Sequence, residues 1–290
     1  LTMVNQKFVD LFGKPIRKPN TDKLTQFHMD IAASVQAVTE EVVLTMTRVL
    51  ANEYNIPNLC MAGGVALNCV VNGKILRDKA FENIWIQPAS GDAGGALGGA
   101  LAVWHKELKK PRTVNPKDAM QGSYLGPECE QNFIEDELLN CGAKFDSVTE
   151  DEMIEQTAQA LADGKAIGWF QGRMEFGPRA LGGRSILGDP RSEKMQKTLN
   201  LKVKYRESFR PFAPSVLRED VSEWFEADYD SPYMLLVGNV KNRSEMTEEE
   251  KSLFGIDKLN IKRSEIPAVT HIDYSARIQT VNKLTNSKYH

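Results

Sequence analysis

Residues 168–191 read GWFQGRMEFGPRALGGRSILGDPR and place Arg173, Arg179 and Arg184 among Gly172, Gly177, Gly182 and Gly183. Guanidinium groups offer planar, bidentate donors matched to phosphate or carboxylate oxygens, and glycines let backbone N–H groups approach an anion closely. An anion site is one reading of this stretch; a solvated loop with surface ion pairs is the other. Over residues 173–210 ten basic side chains face four acidic ones, an excess of six in a chain of formal net charge -3. Such a positive island favours a small anionic ligand over nucleic acid, whose backbone needs a broader basic face. Within the loop, Glu175 either orients an arginine through a salt bridge or accepts a proton. Orientation is the commoner role for a carboxylate flanked by guanidiniums, and it is the expectation here.

A second basic stretch, residues 202–215, KVKYRESFRPFAPS, interleaves charges with aromatics over a proline-bearing turn. It either stacks a base or buries aromatic bodies beneath a basic surface, and its place beside the arginine loop favours the functional reading. Nearer the start, residues 62–68 read AGGVALN after a short strand-like run at 58–61. A strand that ends in paired glycines and enters a helix leaves backbone N–H groups free for a phosphate, whereas a tight turn needs the same glycines for its geometry alone. Residues 90–100, SGDAGGALGGA, repeat the arrangement after a strand-like run at 83–87, and lead into a small-residue helix over 96–105. Asp92 stands at that turn, where a carboxylate can hold a metal ion bridging phosphates. Two glycine-rich turns in succession suggest the nucleotide-binding half of an actin-like ATPase domain.

FQGRMEFGPRALGGRSILGDPR, AGGVALN and SGDAGGALGGAL, in this order and spacing, resemble the hallmarks of the NodU/TobZ-type O-carbamoyltransferases across nearly the whole chain. The resemblance implies an α/β protein of two domains: a partial actin-like (ASKHA) ATPase-type domain over residues 1–110, then a YrdC-like α/β domain over 111–290. It implies that Gly63, Gly64, Asn68, Gly94 and Gly95 lie by the nucleotide. Asp92 would be a ligand to a divalent metal, iron or magnesium, whose other ligands come from a histidine-containing motif that this chain lacks. We therefore expect Asp92 to be metal-free or weakly occupied here, because one carboxylate rarely holds a transition metal alone.

In the YrdC-like domain the resemblance implies that carbamoyl phosphate and ATP react to give a carbamoyl-adenylate. Arg173, Arg179 and Arg184 would stabilise the developing phosphoryl charge, and Ser185, Lys204, Arg206 and Arg210 would contact substrate. Arg277 joins them as a phosphate contact. It belongs to residues 271–277, HIDYSAR, which match the family's histidine-aspartate-x-serine-alanine-arginine stretch, although Tyr274 stands where a glycine is expected. The carbamoyl group would then pass to a hydroxyl-bearing small molecule or sugar. No nucleic-acid or membrane partner is expected, and a homodimer is compatible with the resemblance. Two rival readings are a threonylcarbamoyl-type tRNA modification enzyme, which shares both domain types, and a non-catalytic actin-like nucleotide-binding protein. The resemblance also implies that protein precedes residue 1 and follows His290, so we expect the chain to be a fragment.

The remaining pattern supplies the scaffold. Leu24, Phe27, Ile31, Val35, Val38, Val42 and Met46 recur at steps of three and four and predict a long helix over 22–50, capped by Asp22 and packed on a core. His28 within it is read as a surface or satisfied core histidine rather than a ligand. Further helices are predicted over 128–140, 150–163, 191–201 and 220–225, and strands over 166–170, 185–187 and 233–240, with 144–148 extended and 241–259 a charged surface excursion. A charged, proline-bearing linker over 106–116 puts the domain boundary near Pro111. At 290 residues, 41% hydrophobic and 26% charged, the chain has room for two cores. Its apolar runs are broken well short of bilayer length, and the first residues carry no secretory pattern. Cys60, Cys69, Cys129 and Cys141 fit neither a zinc knuckle nor a redox pair and read as reduced thiols of a cytoplasmic protein.

Overall fold

The computed structural model describes residues 4–18, 21–114 and 118–290, so part of the predicted linker lies outside the described residues. The chain divides into two compact units, Leu1–Val42 and Val43–His290. In the first, helix α1 (Gln6–Phe12) opens on Asn5, whose side chain accepts from Lys7 N, and closes on Gly13 in the left-handed region. Asp22 does not cap the next helix. Its carboxylate instead accepts from Lys18 N at 2.8 Å and Thr21 Oγ1 at 2.9 Å, closing a turn ahead of it. Helix α2 (Gln26–Tyr54) starts at Thr25, whose N–H donates to His28 Nδ1 at 3.1 Å. His28 thus serves the helix start. Of the predicted core stripe, Leu24, Phe27 and Ile31 are half-buried, but Val35, Val38, Val42 and Met46 are exposed.

In the second unit, β1 (Asn58–Met61) runs parallel to β2 (Asn83–Ile86). Between them come a 3₁₀ turn, Gly64–Leu67, and α3 (Cys69–Asp78). The sequence reading took the chain from the glycine pair straight into a helix. The structure inserts the 3₁₀ turn, because Asn68 caps α3 by accepting from Val71 N at 3.2 Å. After β2 come α4 (Ala93–Ala102), prolonged by a wide turn Val103–Glu107, then α5 (Gln131–Asn140) and α6 (Glu150–Ala162). A reciprocal Thr149–Glu152 capping box starts α6, and the acidic first turn suits the helix dipole. Residues 144–148 pair with no strand among the described residues.

Strands β3 (Ile167–Phe170) and β4 (Arg184–Leu187) form an antiparallel pair with Trp169 opposite Ser185, so the arginine-rich loop is the connection of a hairpin. The helix expected over 191–201 is reduced to α7 (Met195–Thr198) and a π-turn, Leu199–Val203. There follow β5 (Ser215–Leu217), α8 (Val221–Trp224), β6 (Leu236–Asn239), α9 (Glu248–Ser252) and β7 (Ser275–Val281). β7 is central, parallel to β5 and antiparallel to β6. β5 and β7 had no strand prediction; β5 begins where the basic, proline-bearing stretch ends and β7 begins in the HIDYSAR motif.

Two larger apolar clusters and a small one of Met195, Leu199 and Ala268 hold these pieces. Ala66, Ile86, Met120, Leu181, Tyr233, Met234 and Leu235 join the first glycine turn to the arginine hairpin. Val221, Phe225, Val240, Ile266, Val269, Ala276 and Ile278 fill the space around β7. Asn72 braces the first cluster, donating to Ala66 O at 2.8 Å and Leu235 O at 3.1 Å from a fully buried site. The structure is thus a mixed α/β arrangement of small sheets. Among the described residues no helix is long and apolar enough to cross a membrane.

Candidate anion-binding site

The hairpin loop is shaped from inside by Glu175. At 6% exposure its Oε1 accepts from Leu181 N at 2.6 Å, Gly183 N at 2.8 Å and Arg184 N at 3.3 Å. The expected arginine-orienting salt bridge does not form. Glu175 orders the backbone instead, because the loop turns three amide N–H groups inward and a buried donor left unpaired is costly. Ser185 Oγ accepts from Gly182 N at 2.9 Å on the far side of the same turn.

So ordered, the loop delivers Arg179 and Ser185 to a cavity of about 870 Å³, also lined by Lys204, Arg206, Arg210 and Arg277. One wall is α6, through Ile154, Thr157, Ala158 and Leu161. Arg277 comes from the middle of β7, and Arg206 and Arg210 from the turn after the π-turn.

The electrostatics are one-sided. Arg179 donates to Leu67 O at 3.3 Å, tying the cavity to the AGGVALN turn, while its Nε is buried with no partner. Arg277 Nε is likewise buried and unpartnered. Burial and then the charge of Arg179 lower the Arg277 pKa below its ordinary value. Arg206 is lowered by burial and by neighbouring Arg210; its guanidinium lies 4.9 Å from the Phe212 ring centre and its Nε donates to Asn200 Oδ1 at 2.6 Å. Glu207 pairs with Arg210 at 3.3 Å, and its charge also acts on Arg206. Arg179 and Arg277 are half-buried like charges, and desolvating like charges carries an energetic cost that an anion would reduce.

Arg173 and Arg184 lie outside this cavity. Arg173 is exposed, donating to Gly126 O at 3.1 Å and facing Glu128 at 3.5 Å. Arg184 stacks over Phe170 at 3.4 Å and donates to the carbonyls of Gln171 and Gly183, both at 2.9 Å, and of Gly172 at 3.1 Å. Its planar fork is consumed by the hairpin backbone.

In the first glycine turn, Gly63 has φ +99° and its N–H donates to Ser90 O at 2.8 Å; open space surrounds both Gly63 and Gly64. Gly94 is required locally, since a Cβ there would sit 2.1 Å from Ala89 O, while Gly95 faces open space. Asp92 is exposed, and among the described residues no three His, Cys, Asp or Glu side chains cluster closely enough to hold a metal. The residues described here therefore do not by themselves fit a metal ion, whereas the unpartnered Nε atoms of Arg179 and Arg277 offer donors of the kind an anion accepts.

Tyr274 adopts φ +62°, the conformation that makes glycine the expected residue there. Its ring compensates by contact: the hydroxyl donates to Ser244 O at 3.2 Å and Arg243 lies 6.0 Å over the ring. Sequence reasoning passed over Asn200 and Trp169, which lack charge, and Arg263. The last, 2% exposed, donates to His271 O at 3.1 Å, Lys258 O and Thr270 O, holding the entry to β7. Cys69 is a free thiol whose pKa burial pushes up against the opposing pull of Arg277 and Arg179.

Convergent arginines on a concave site, beside a glycine-rich β–turn–α segment, mark an α/β protein with a strongly basic cavity. Residues 1–101 match the family Carbamoyltransferase N-terminus and residues 158–290 match Carbamoyltransferase C-terminus. The chain belongs to the carbamoyltransferase family, as a member of the NodU type. It is 58% identical, over 100% of its length, to an uncharacterized protein of Synechocystis sp., covering 48% of that protein. It is 40% identical to nodulation protein NolO of Bradyrhizobium diazoefficiens, over 91% of this chain and 45% of that protein. It is 32% identical to the 3'-hydroxymethylcephem-O-carbamoyltransferase of Streptomyces clavuligerus, over 90% of this chain and 43% of that enzyme. The chain thus spans a little under half the length of these curated relatives.

Proposed function

We propose that the protein is an ATP-dependent O-carbamoyltransferase and that the arginine cavity activates carbamoyl phosphate. The observation that carries this is the uncompensated charge of Arg179 and Arg277, whose buried Nε atoms lack partners in a cavity of about 870 Å³. That volume suits a nucleotide together with a small phosphate. Water cleaves carbamoyl phosphate to carbamate and phosphate; a carbamate oxygen then bonds to the α-phosphorus of ATP as pyrophosphate leaves, giving carbamoyl-adenylate. Arg179, Arg206, Arg210, Arg277 and Lys204 bind and orient the phosphoryl oxygens and neutralise the charge that develops on them. Arg173 and Arg184 act at one remove, by fixing the hairpin, and Ser185 by holding Gly182.

The second half-reaction passes the carbamoyl group to an acceptor hydroxyl. The cephem relative's name specifies a hydroxymethyl acceptor, and we extend a hydroxyl-bearing small molecule to this chain. The actin-like and YrdC-like assignments, divided near Pro111, belong to the same proposal. So do a nucleotide at Gly63, Gly64, Asn68, Gly94 and Gly95, a homodimer and a cytoplasmic location. A divalent metal at Asp92 requires ligands that the described residues do not supply, and no step is routed through it. The basic residues converge on a concavity rather than spread over a face, which favours this reading over tRNA modification.

The test is isothermal titration of carbamoyl phosphate, with and without ATP, into the protein and its Arg179→Ala and Arg277→Ala variants, with pyrophosphate release measured in parallel. Binding to the parent that is lost in both variants is expected. Undiminished binding in both variants would remove the cavity from the mechanism.

A further inference from the structure

Arg206 and Arg210 reach the cavity from the same turn, where the charge of Arg210 opposes that of Arg206. Left to themselves two such guanidiniums separate and take solvated rotamers, because both repulsion and side-chain entropy favour it. Their convergence needs an anchor. Asn200, in the π-turn Leu199–Val203, is 0% exposed and lies under that turn. Its Oδ1 accepts from Arg206 Nε at 2.6 Å, and its Nδ2 donates to Ser208 O at 3.0 Å and Arg210 O at 2.9 Å. Its backbone carbonyl accepts from Arg206 N at 3.0 Å. One primary amide therefore uses its acceptor on the guanidinium and both donor hydrogens on the backbone of the same five-residue segment.

We infer that Asn200 is a positioning residue for phosphate capture, fixing Arg206 by its Nε so that the outer edge of the guanidinium is presented to the anion. The inference rests on the cavity being the phosphate site. The chemistry explains the residue type. Aspartate has no donors for the two carbonyls and would neutralise Arg206, leucine offers no hydrogen bond, and serine is too short to span all three partners. Gln196, one helical turn earlier, adds a weaker tie from the same side, donating to Arg210 O at 3.2 Å. Its partners are backbone carbonyls alone, so it steadies the turn without selecting the Arg206 rotamer.

The test is a double-mutant cycle read by titration of inorganic phosphate into the full chain: parent, Asn200→Ser, Arg206→Ala and the double variant, each checked for folding by circular dichroism. A hydrogen bond to a charged group corresponds to roughly tenfold or more in affinity. Asn200→Ser is expected to weaken phosphate roughly tenfold, Arg206→Ala by at least as much, and the pair by no more than Arg206→Ala alone. A merely structural asparagine would give losses that add, and additive losses overturn the inference, as does undiminished binding in Asn200→Ser. A second readout needs no substitution at Asn200. The Arg206 Nε–H resonance, assigned by its loss in Arg206→Lys, is expected to exchange slowly with solvent in the ligand-free protein. Fast exchange refutes the anchor. If the parent itself does not bind phosphate, the phosphate reading fails, while the exchange measurement still decides whether Asn200 locks Arg206.

Discussion

Replacing Glu175 isolates the device that shapes the arginine loop. A single carboxylate oxygen holds Leu181 N, Gly183 N and Arg184 N, and the first two residues are buried. In Glu175→Ala those two N–H groups lose their acceptor with no route to water. At about 1–3 kcal/mol for each buried unsatisfied donor, the loss is about 4 kcal/mol. The longer bond from half-buried Arg184 adds little. Glu175→Gln retains an acceptor oxygen but not its charge. Since charge-assisted bonds are roughly twice as strong as neutral ones, it should lose about 1–2 kcal/mol. Against a typical domain stability of about 5–15 kcal/mol these are large, well-separated effects. The assay is urea unfolding followed by tryptophan fluorescence, to which Trp169 on the adjacent strand β3 contributes, with the m-value checked for constancy. The expected order is parent, Gln, then Ala. An alanine variant within about 0.5 kcal/mol of the parent would refute the account, since surface substitutions alone stay in that range.

Other outcomes follow from the same geometry. Gly94→Ala should destabilise the protein by about 2–3 kcal/mol, because its Cβ would meet the Ala89 carbonyl at 2.1 Å. Gly95→Ala, with nothing within 4 Å, should be neutral or stabilise α4 by up to about 1 kcal/mol; thermal melting of both variants checks the contrast. Burial holds His271 below its ordinary pKa of 6.5, so the unfolded chain takes up the proton more readily than the folded one. Stability should therefore be fully present above about pH 6.5 and decline as pH falls through the lower folded-state value. Carboxylates such as Asp189, lowered by their partners, come into play only below about pH 4. Urea midpoints at pH 7.5 and 5.5 should show this loss in the parent and a smaller one in His271→Gln; equal slopes would exclude His271 as the cause.

The family was legible in the chain itself, because the residues that mark it are local. Paired glycines, prolines and arginines at fixed spacing survive as words in one dimension, and so does the strand run 167–170, although only Trp169 within it is buried. Where the reading failed, the deciding partner was distant or absent. The apolar stripe of α2 has the period of a core helix, but period reports only which side chains share a face and says nothing of what covers them. Glu175 was expected to meet an arginine because guanidiniums flank it in sequence. In the folded loop backbone amides lie nearer, and their burial makes them the more demanding partners.

The sequence by itself determined that positive charge would be concentrated beside glycine turns in an α/β chain. The tertiary structure decided which charges face one another. Arg173 and Arg184 share a loop with Arg179, yet bond to backbone and surface carboxylate, whereas Arg277, some hundred residues away, joins Arg179 in the cavity from β7, whose Gln279 donates to Leu181 O of the hairpin loop. Asn200 carries no charge and no motif. Its role exists only where a buried amide meets three groups of a turn that the chain reaches six to ten residues later. Such a role follows from hydrogen-bond satisfaction in a desolvated site, a condition set by packing across the fold rather than by spacing along it.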